Sequence, residues 1–307
     1  MILRKKMIIL KYLCIGHSTY DTTLPIEKFI IENNKYRIKQ HIECGGGPAS
    51  NSSYLLAKWG CDVSLASIVG DDYYGNKIKN ELENIGVNCK YLDIVKNHDT
   101  SSSYIIASKE TGSRTIITYK DEIITKISKN IKDKFDVILV DGEHYETVID
   151  VFNNNKDSIK IIDADKVTET NKKLGKMVDY LVCSKKFAEG FSNVLIDPNN
   201  IKSLIEVYDI LYNYFKNKII ITLESFGSFT KIDNEYKLIP SYKVKAVDST
   251  GAGDIFHGAF TYFISNGYSL EKAIKLSNKT ASISVTRLGA RYSIPEINEV
   301  INNDWFI

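Results

Sequence analysis

Cysteine is scarce and scattered in this chain. Its five cysteines, Cys14, Cys44, Cys61, Cys89 and Cys183, are odd in number and form no Cys-x-x-Cys pair. That argues against a disulfide framework or a spaced-cysteine zinc site and points to a reducing cytoplasmic setting. Long apolar runs are missing as well, and none approaches the roughly 20 residues of a membrane-spanning helix. The opening Met1-Ile-Leu-Arg-Lys-Lys-Met7-Ile-Ile-Leu mimics a signal peptide faintly, but Lys11 breaks the run and no small-x-small cleavage site follows. It reads as a short tail before the first strand. No excess of either charge is present, the net being +2, which argues against a nucleic acid or a membrane surface as partner. Internal repeats, low-complexity segments and a linker are also absent. What remains is a 307-residue chain, 43% hydrophobic, long enough for a large buried core in one or two domains.

The most informative stretch is Val247-Asp248-Ser249-Thr250-Gly251-Ala252-Gly253-Asp254. It follows a strand-like segment, Tyr242 to Val247, and opens a helix-like one, Ile255 to Asn266. Small residues at such a turn leave backbone N–H groups uncovered where the helix dipole favours negative charge, which makes an anion site. A carboxylate beside such a site would repel phosphate unless it takes a proton from a hydroxyl attacking that phosphate. The plainer reading is a Gly-rich turn with Asp254 as the helix N-cap.

The rest of the chain alternates. Met7 to Ile15 reads as a buried strand ending at Gly16-His17-Ser18-Thr19-Tyr20-Asp21, where ligands bind in open α/β sheets. Tyr36 to Glu43 reads as a strand with one exposed face. Cys44-Gly45-Gly46-Gly47-Pro48-Ala49-Ser50-Asn51 precedes a helix from Ser52 to Trp59; no Gly-x-x-x-x-Gly-Lys-Ser/Thr is present, so a P-loop is excluded. Val63 to Val69 is a strand, Gly70 to Gly75 a turn with Asp72 as cap, and a helix runs to Ile85. Residues 100–119 read as a hairpin. Strands at Val137–Val140, Ile159–Ile162, Tyr180–Cys183 and Lys218–Leu223 then alternate with helices, which argues for a parallel sheet covered on both faces. Asp163 and Asp165 either point at a substrate or cap the next helix. A last helix spans Leu270 to Ser284.

The string from Asp248 to Asp254 resembles the C-terminal signature of the PfkB/ribokinase family of carbohydrate kinases, and the likeness extends along nearly the whole chain. It implies a ribokinase-like three-layer α/β/α fold with a mostly parallel sheet and a small β-sheet lid, built from 22–44 and 100–119 of a single domain, that covers the sugar and pairs subunits into a homodimer. It implies Asp254 as catalytic base, with Gly251, Ala252 and Gly253 forming an anion hole. Asp21, Thr19, Gly46, Gly47 and Asn51 match the sugar site, because Gly-x-x-x-x-Asp ends the first strand and a Gly-Gly…Asn turn approaches the sugar. Thr222-Leu-Glu-Ser-Phe-Gly227 resembles the nucleotide turn Thr-Leu-Gly-x-x-Gly, with Glu224 in place of its first glycine. The family's Asn-x-x-Glu, which orders magnesium, appears as Ser184-Lys-Lys-Phe187. Asn278 falls near the adenine. Asp248, Thr250, Ser284, Gly289 and Ser293 match a loop that binds a monovalent cation such as potassium in many members, with hard oxygen ligands.

The resemblance thus implies ATP-dependent phosphorylation, with Mg2+, of a primary hydroxyl on a small sugar or sugar acid of the ribose, fructose or 2-keto-3-deoxygluconate kind. Arg37, Lys39 or Arg114, if turned inward, would favour an acidic substrate. A nucleoside kinase of the same fold is one alternative, given Tyr36, Tyr104 and Tyr119. A non-catalytic sugar or nucleotide sensor is another, which the changes at Glu224 and Ser184 favour and the intact Asp254 opposes.

Overall fold

The computed structural model describes residues 9–28, 30–121 and 124–302. The expected N-terminal tail and the first two residues of the expected first strand lie outside them. The first elements of the described residues are β1 (Lys11–Ile15), β2 (Thr19–Ile26) and β3 (Ile42–Gly46), then α1 (Pro48–Lys58), β4 (Asp62–Gly70), α2 (Tyr73–Ile85) and β5 (Asn88–Val95). A hairpin follows, β6 (Ser102–Ser108) and β7 (Arg114–Tyr119). Strand and helix then alternate through β8 (Val137–Val140), α3 (Tyr145–Asn154), β9 (Ile159–Ala164), α4 (Glu169–Gly175), β10 (Tyr180–Ser184), α5 (Lys185–Ser192), α6 (Ile201–Phe215) and β11 (Lys218–Thr222). A second hairpin, β12 (Ser228–Ile232) and β13 (Glu235–Ile239), leads to α7 (Ala252–Ser265), α8 (Leu270–Ser284) and α9 (Ile297–Ile301).

The main sheet has the order β13-β12-β11-β10-β9-β8-β1-β4-β5. From β11 to β5 neighbouring strands pair in parallel, and the β12–β13 hairpin adds an antiparallel edge. Parallel strands need helical crossovers, which cover both faces and demand apolar side chains on both. The strands obey this residue by residue. Leu13, Ile15, Ile138, Val140, Leu181 and Ile219 face one core with Val148, Leu174, Phe187 and Leu211 from α3 to α6. Tyr12, Cys14, Val137, Leu139, Val182 and Ile220 face the other with Leu55, Ile78, Phe260 and Ile274 from α1, α2, α7 and α8. Each such aliphatic side chain contributes about 1.5–3 kcal/mol through burial. The result is the expected three-layer α/β/α arrangement. Among the described residues no helix is long and apolar enough to cross a membrane.

A separate four-stranded sheet, ordered β3-β2-β6-β7, stands outside the main one. It contains the two segments expected as a lid, with shifted bounds. β2 begins at Thr19, so Asp21 lies inside a strand of the small sheet rather than in the turn after β1. The strand expected at Tyr36 to Glu43 starts only at Ile42, because 31–41 are exposed throughout and offer no apolar face to bury. β5 was not foreseen; its alternation is blurred by Asn88, Lys90 and Asp93. The strand expected at Tyr242 to Val247 does not form. Its alternating burial is real, but among the described residues the segment pairs with no strand, and the N–H groups of Val247 and Asp248 both turn to the carbonyl of Val285. α1 starts at Pro48, four residues before the expected Ser52, since proline suits the first helical turn, where its missing N–H costs nothing.

Candidate active site

Asp254 sits in the first turn of α7 and is not its cap. Gly251 is, with φ 72°. That conformation favours glycine, and a Cβ there would also lie 2.8 Å from that of Ala290. The helix therefore begins at Ala252, three residues earlier than expected, and Gly253 lies within the turn. The first N–H groups of a helix have no acceptor inside it; here Ile255 N bonds Gly251 O at 2.8 Å and Ala252 N makes a long bond of 3.3 Å to Ser249 O. A Cβ at Gly253 would meet open space, so this end of the helix faces outward from the core. Asp254 Oδ2 accepts from Asn51 Nδ2 at 2.7 Å. Burial pushes its carboxyl up to about 6, against the Asn51 hydrogen bond and the Arg114 charge, with Asp165 adding to the rise.

The residues expected to hold a sugar gather beside it. Asp21 and Thr19 lie on β2, Gly46 ends β3, Gly47 precedes α1 and Asn51 lies in its first turn. A Cβ on Gly46 would fall 2.0 Å from Asp21 Oδ2. Gly47 has φ 93°, and a Cβ there would lie 2.4 Å from the His17 carbonyl oxygen. Asp21 is 6% exposed and its Oδ1 has no hydrogen-bond partner among the described residues. Burial and then the charge of Asp254 push its carboxyl up to about 7, so the two carboxylates share one electrostatic environment. Thr19 Oγ1 is spent on Ser101 O at 3.0 Å.

Asp141 was missed. It follows β8, and its Oδ2 accepts from the N–H of His17 at 2.8 Å and of Ala49 at 3.2 Å, tying the end of β1 to the start of α1. Its only signal was an aspartate directly after an apolar strand and before Gly142. Asp163, 8% exposed, lies under the turn at 251–253: His257 Nδ1 is 3.2 Å from its Oδ2 and 2.6 Å from Gly253 O. Burial raises the Asp163 carboxyl well above its ordinary value and lowers His257 to about 4. Neither Asp163 nor Asp165 caps α4; Thr168 does, through its side chain.

The expected nucleotide residues line one end of the main sheet. Ser184 caps α5 by accepting from Phe187 N at 3.0 Å. Thr222 Oγ1 donates to Cys183 O at 3.2 Å. Gly227 has φ 102°, and a Cβ there would lie 2.1 Å from Ile239 O. The amide of Asn278 is taken up internally, accepting from Ser228 Oγ at 2.9 Å and donating to Ile239 O at 3.0 Å. Glu224, where the resembling motif has glycine, keeps a glycine-like backbone with φ 53°. A non-glycine residue there costs about 1–2 kcal/mol. Glu224→Gly is therefore expected to stabilise the chain by about 0.5–1 kcal/mol, read as a higher denaturant midpoint at unchanged slope. An unchanged or lower midpoint would show that the Glu224 side chain makes compensating contacts.

The tail loop closes on the signature. Asp248 Oδ1 accepts from Thr250 N at 2.9 Å and Thr250 Oγ1 at 2.6 Å, and Oδ2 accepts from Gly289 N at 2.9 Å. Ser284 and Ser293 donate to Ala281 O and Ala290 O, each at 2.8 Å. These bonds tie the loop internally around the five residues expected to hold a cation. The tip of the small sheet docks here as well. Arg114 Nη1 donates to Ser249 O at 2.8 Å and to Ser249 Oγ at 2.7 Å, so its guanidinium engages the signature loop.

The pfkB family carbohydrate kinase model matches residues 10–297. A ribokinase from Bacillus subtilis is 28% identical over 264 residues, 83% of this chain and 86% of that protein. The structure of ribokinase from Thermotoga maritima aligns over 95% of this chain and 98% of its own, with TM-score 0.76 and 27% identity. That of Arabidopsis thaliana ribokinase, complexed with ribose and ATP, aligns over 96% and 98%, with TM-score 0.75 and 21% identity.

Proposed function

The chain belongs to the pfkB family of carbohydrate kinases, and from that premise we propose that it transfers the γ-phosphoryl group of magnesium–ATP to the primary hydroxyl of a small free sugar of the ribose class. One observation carries the reading: Asp254, a carboxylate in the first turn of α7, shares its environment with Asp21, whose buried Oδ1 lacks a partner among the described residues. In this reading Asp21 and Asn51 bind sugar hydroxyls, Gly46 leaves room for the Asp21 carboxylate, and Gly47 lets the chain pass close to the His17 carbonyl. Asp254 takes the proton of the attacking hydroxyl, which needs a base poised near working pH. The amides of 251–253 receive charge spreading over the transferred group.

A neutral sugar is favoured over a sugar acid, since Arg114 is engaged with Ser249, and Arg37 and Lys39 are exposed. The small sheet would act as the lid that excludes water. Its edge strand β7 exposes Ile116, Ile117 and Tyr119, which supports lid-to-lid pairing in a homodimer, readable by sedimentation. Potassium would be held by oxygens of the loop around Asp248, Thr250, Ser284, Gly289 and Ser293. The five free cysteines support a reducing cytosol as the setting.

The test is sugar-dependent ADP release, with and without potassium, over ribose, fructose, 2-keto-3-deoxygluconate and nucleosides. A free neutral sugar is expected to support release most strongly. Preference for a nucleoside would move the reading to a nucleoside kinase using Tyr104 and Tyr119. Tight sugar binding with no ADP release from any acceptor would leave a sensor and overturn it.

A further inference from the structure

Among the described residues Arg291 is the largest side chain buried below 2% exposure, at 1%, and nothing in the proposed reaction uses it. It stands in the tail loop, and a guanidinium offers donors only. Each of its three nitrogens donates to a neighbour. Nε donates to Asn51 Oδ1 at 3.2 Å, Nη1 to Glu81 Oε2 at 2.8 Å and Nη2 to Ser50 Oγ at 2.5 Å. Glu81 Oε2 also accepts from Gly45 N at 2.8 Å. A Cβ on Gly45 would lie 2.1 Å from Nη1, so the glycine admits the guanidinium.

The contact with Asn51 has a directional consequence. A primary amide can turn over, presenting either its oxygen or its NH2 group. Arg291 can only donate, so the oxygen must face it, and the NH2 group must face Asp254, to which it donates at 2.7 Å. We propose that Arg291 is a positioning residue for phosphoryl transfer: its guanidinium locks the Asn51 amide in the orientation that holds the Asp254 carboxylate ionised and aimed into the site. This rests on Asp254 being the base. The other charged groups around Asp254 are Arg114 on β7, Asp165 after β9, Asp163 on β9 and Asp21 on β2. Without the lock, a turned amide would present its oxygen to the carboxylate and favour the protonated acid.

Removing Arg291 alone would leave Glu81 without its buried partner, which destabilises a fold. The test therefore uses Arg291→Met with Glu81→Leu, a paired apolar replacement, and Glu81→Gln, which keeps the guanidinium. In the paired variant kcat is expected to fall about 10- to 100-fold, the acid limb of its pH profile to move up by about one unit, and KM for ATP to stay unchanged. Glu81→Gln is expected to keep the wild-type acid limb. In an Asn51→Leu background the paired replacement should cost nothing further in kcat, because Arg291 acts through Asn51. A folded paired variant with wild-type kcat and acid limb, or an undiminished further loss in the Asn51→Leu background, would overturn the proposal. Asp254→Asn, measured alongside, separates the two failures: turnover surviving in that variant defeats the base, and its loss with an unmoved paired variant defeats only the lock.

Discussion

Asp254→Asn is expected to lower kcat by about 10²–10⁴-fold, the usual contribution of a placed general base. That corresponds to about 3–5 kcal/mol of transition-state stabilisation. The replacement is close to isosteric, and its amide oxygen can still accept from Asn51 Nδ2, so the fold and ATP affinity are expected to hold. Burial pushes the wild-type carboxyl up to about 6, against the Asn51 hydrogen bond and the Arg114 charge. The base works only when ionised, so wild-type kcat should rise with pH through that region and level off above it. The asparagine variant should lose that limb together with its rate. Turnover near the wild-type level in a folded Asp254→Asn protein would remove Asp254 from the chemistry.

Asp21→Ala is expected to lower kcat/KM for the sugar by about 10²–10⁴-fold, mostly through KM. A carboxylate that accepts from two sugar hydroxyls makes two charge-assisted bonds, each worth about 1.5–3 kcal/mol. The same variant has an opposite expectation for stability. The Asp21 carboxyl is raised from 3.8 to about 7, by burial first and by Asp254 second. Between those values the folded chain keeps a proton that the unfolded chain has released, so the wild type loses stability as pH rises through that window. Alanine removes the loss. Above pH 7 the sugar-free variant should therefore melt higher than the wild type. A wild-type KM for the sugar, measured by ADP release, would take Asp21 out of the sugar site.

Much of this was legible in the sequence because the signals were local. The bounds of β8 and α8 matched, since a four-residue apolar run after Asp136 and a helix between Ser269 and Val285 carry their own start and stop marks. The turn around Asp254 and the glycines near Asp21 were legible for the same reason. What escaped was set by distance. Asp141 works through N–H groups of residues 17 and 49, and Arg291 through side chains of residues 50, 51 and 81. Nothing near either residue in sequence marks those partners. Tyr242 to Val247 failed the other way, since alternation alone cannot supply a neighbouring strand.

The most direct measurement is the fate of the phosphoryl group when ribose and 5-deoxyribose are offered with magnesium–ATP and the products read by phosphorus NMR. The account predicts a phosphate ester on the primary carbon of ribose, and 5-deoxyribose that binds competitively without being phosphorylated. Phosphorylated 5-deoxyribose, or inorganic phosphate as the only product with every sugar tried, would contradict it.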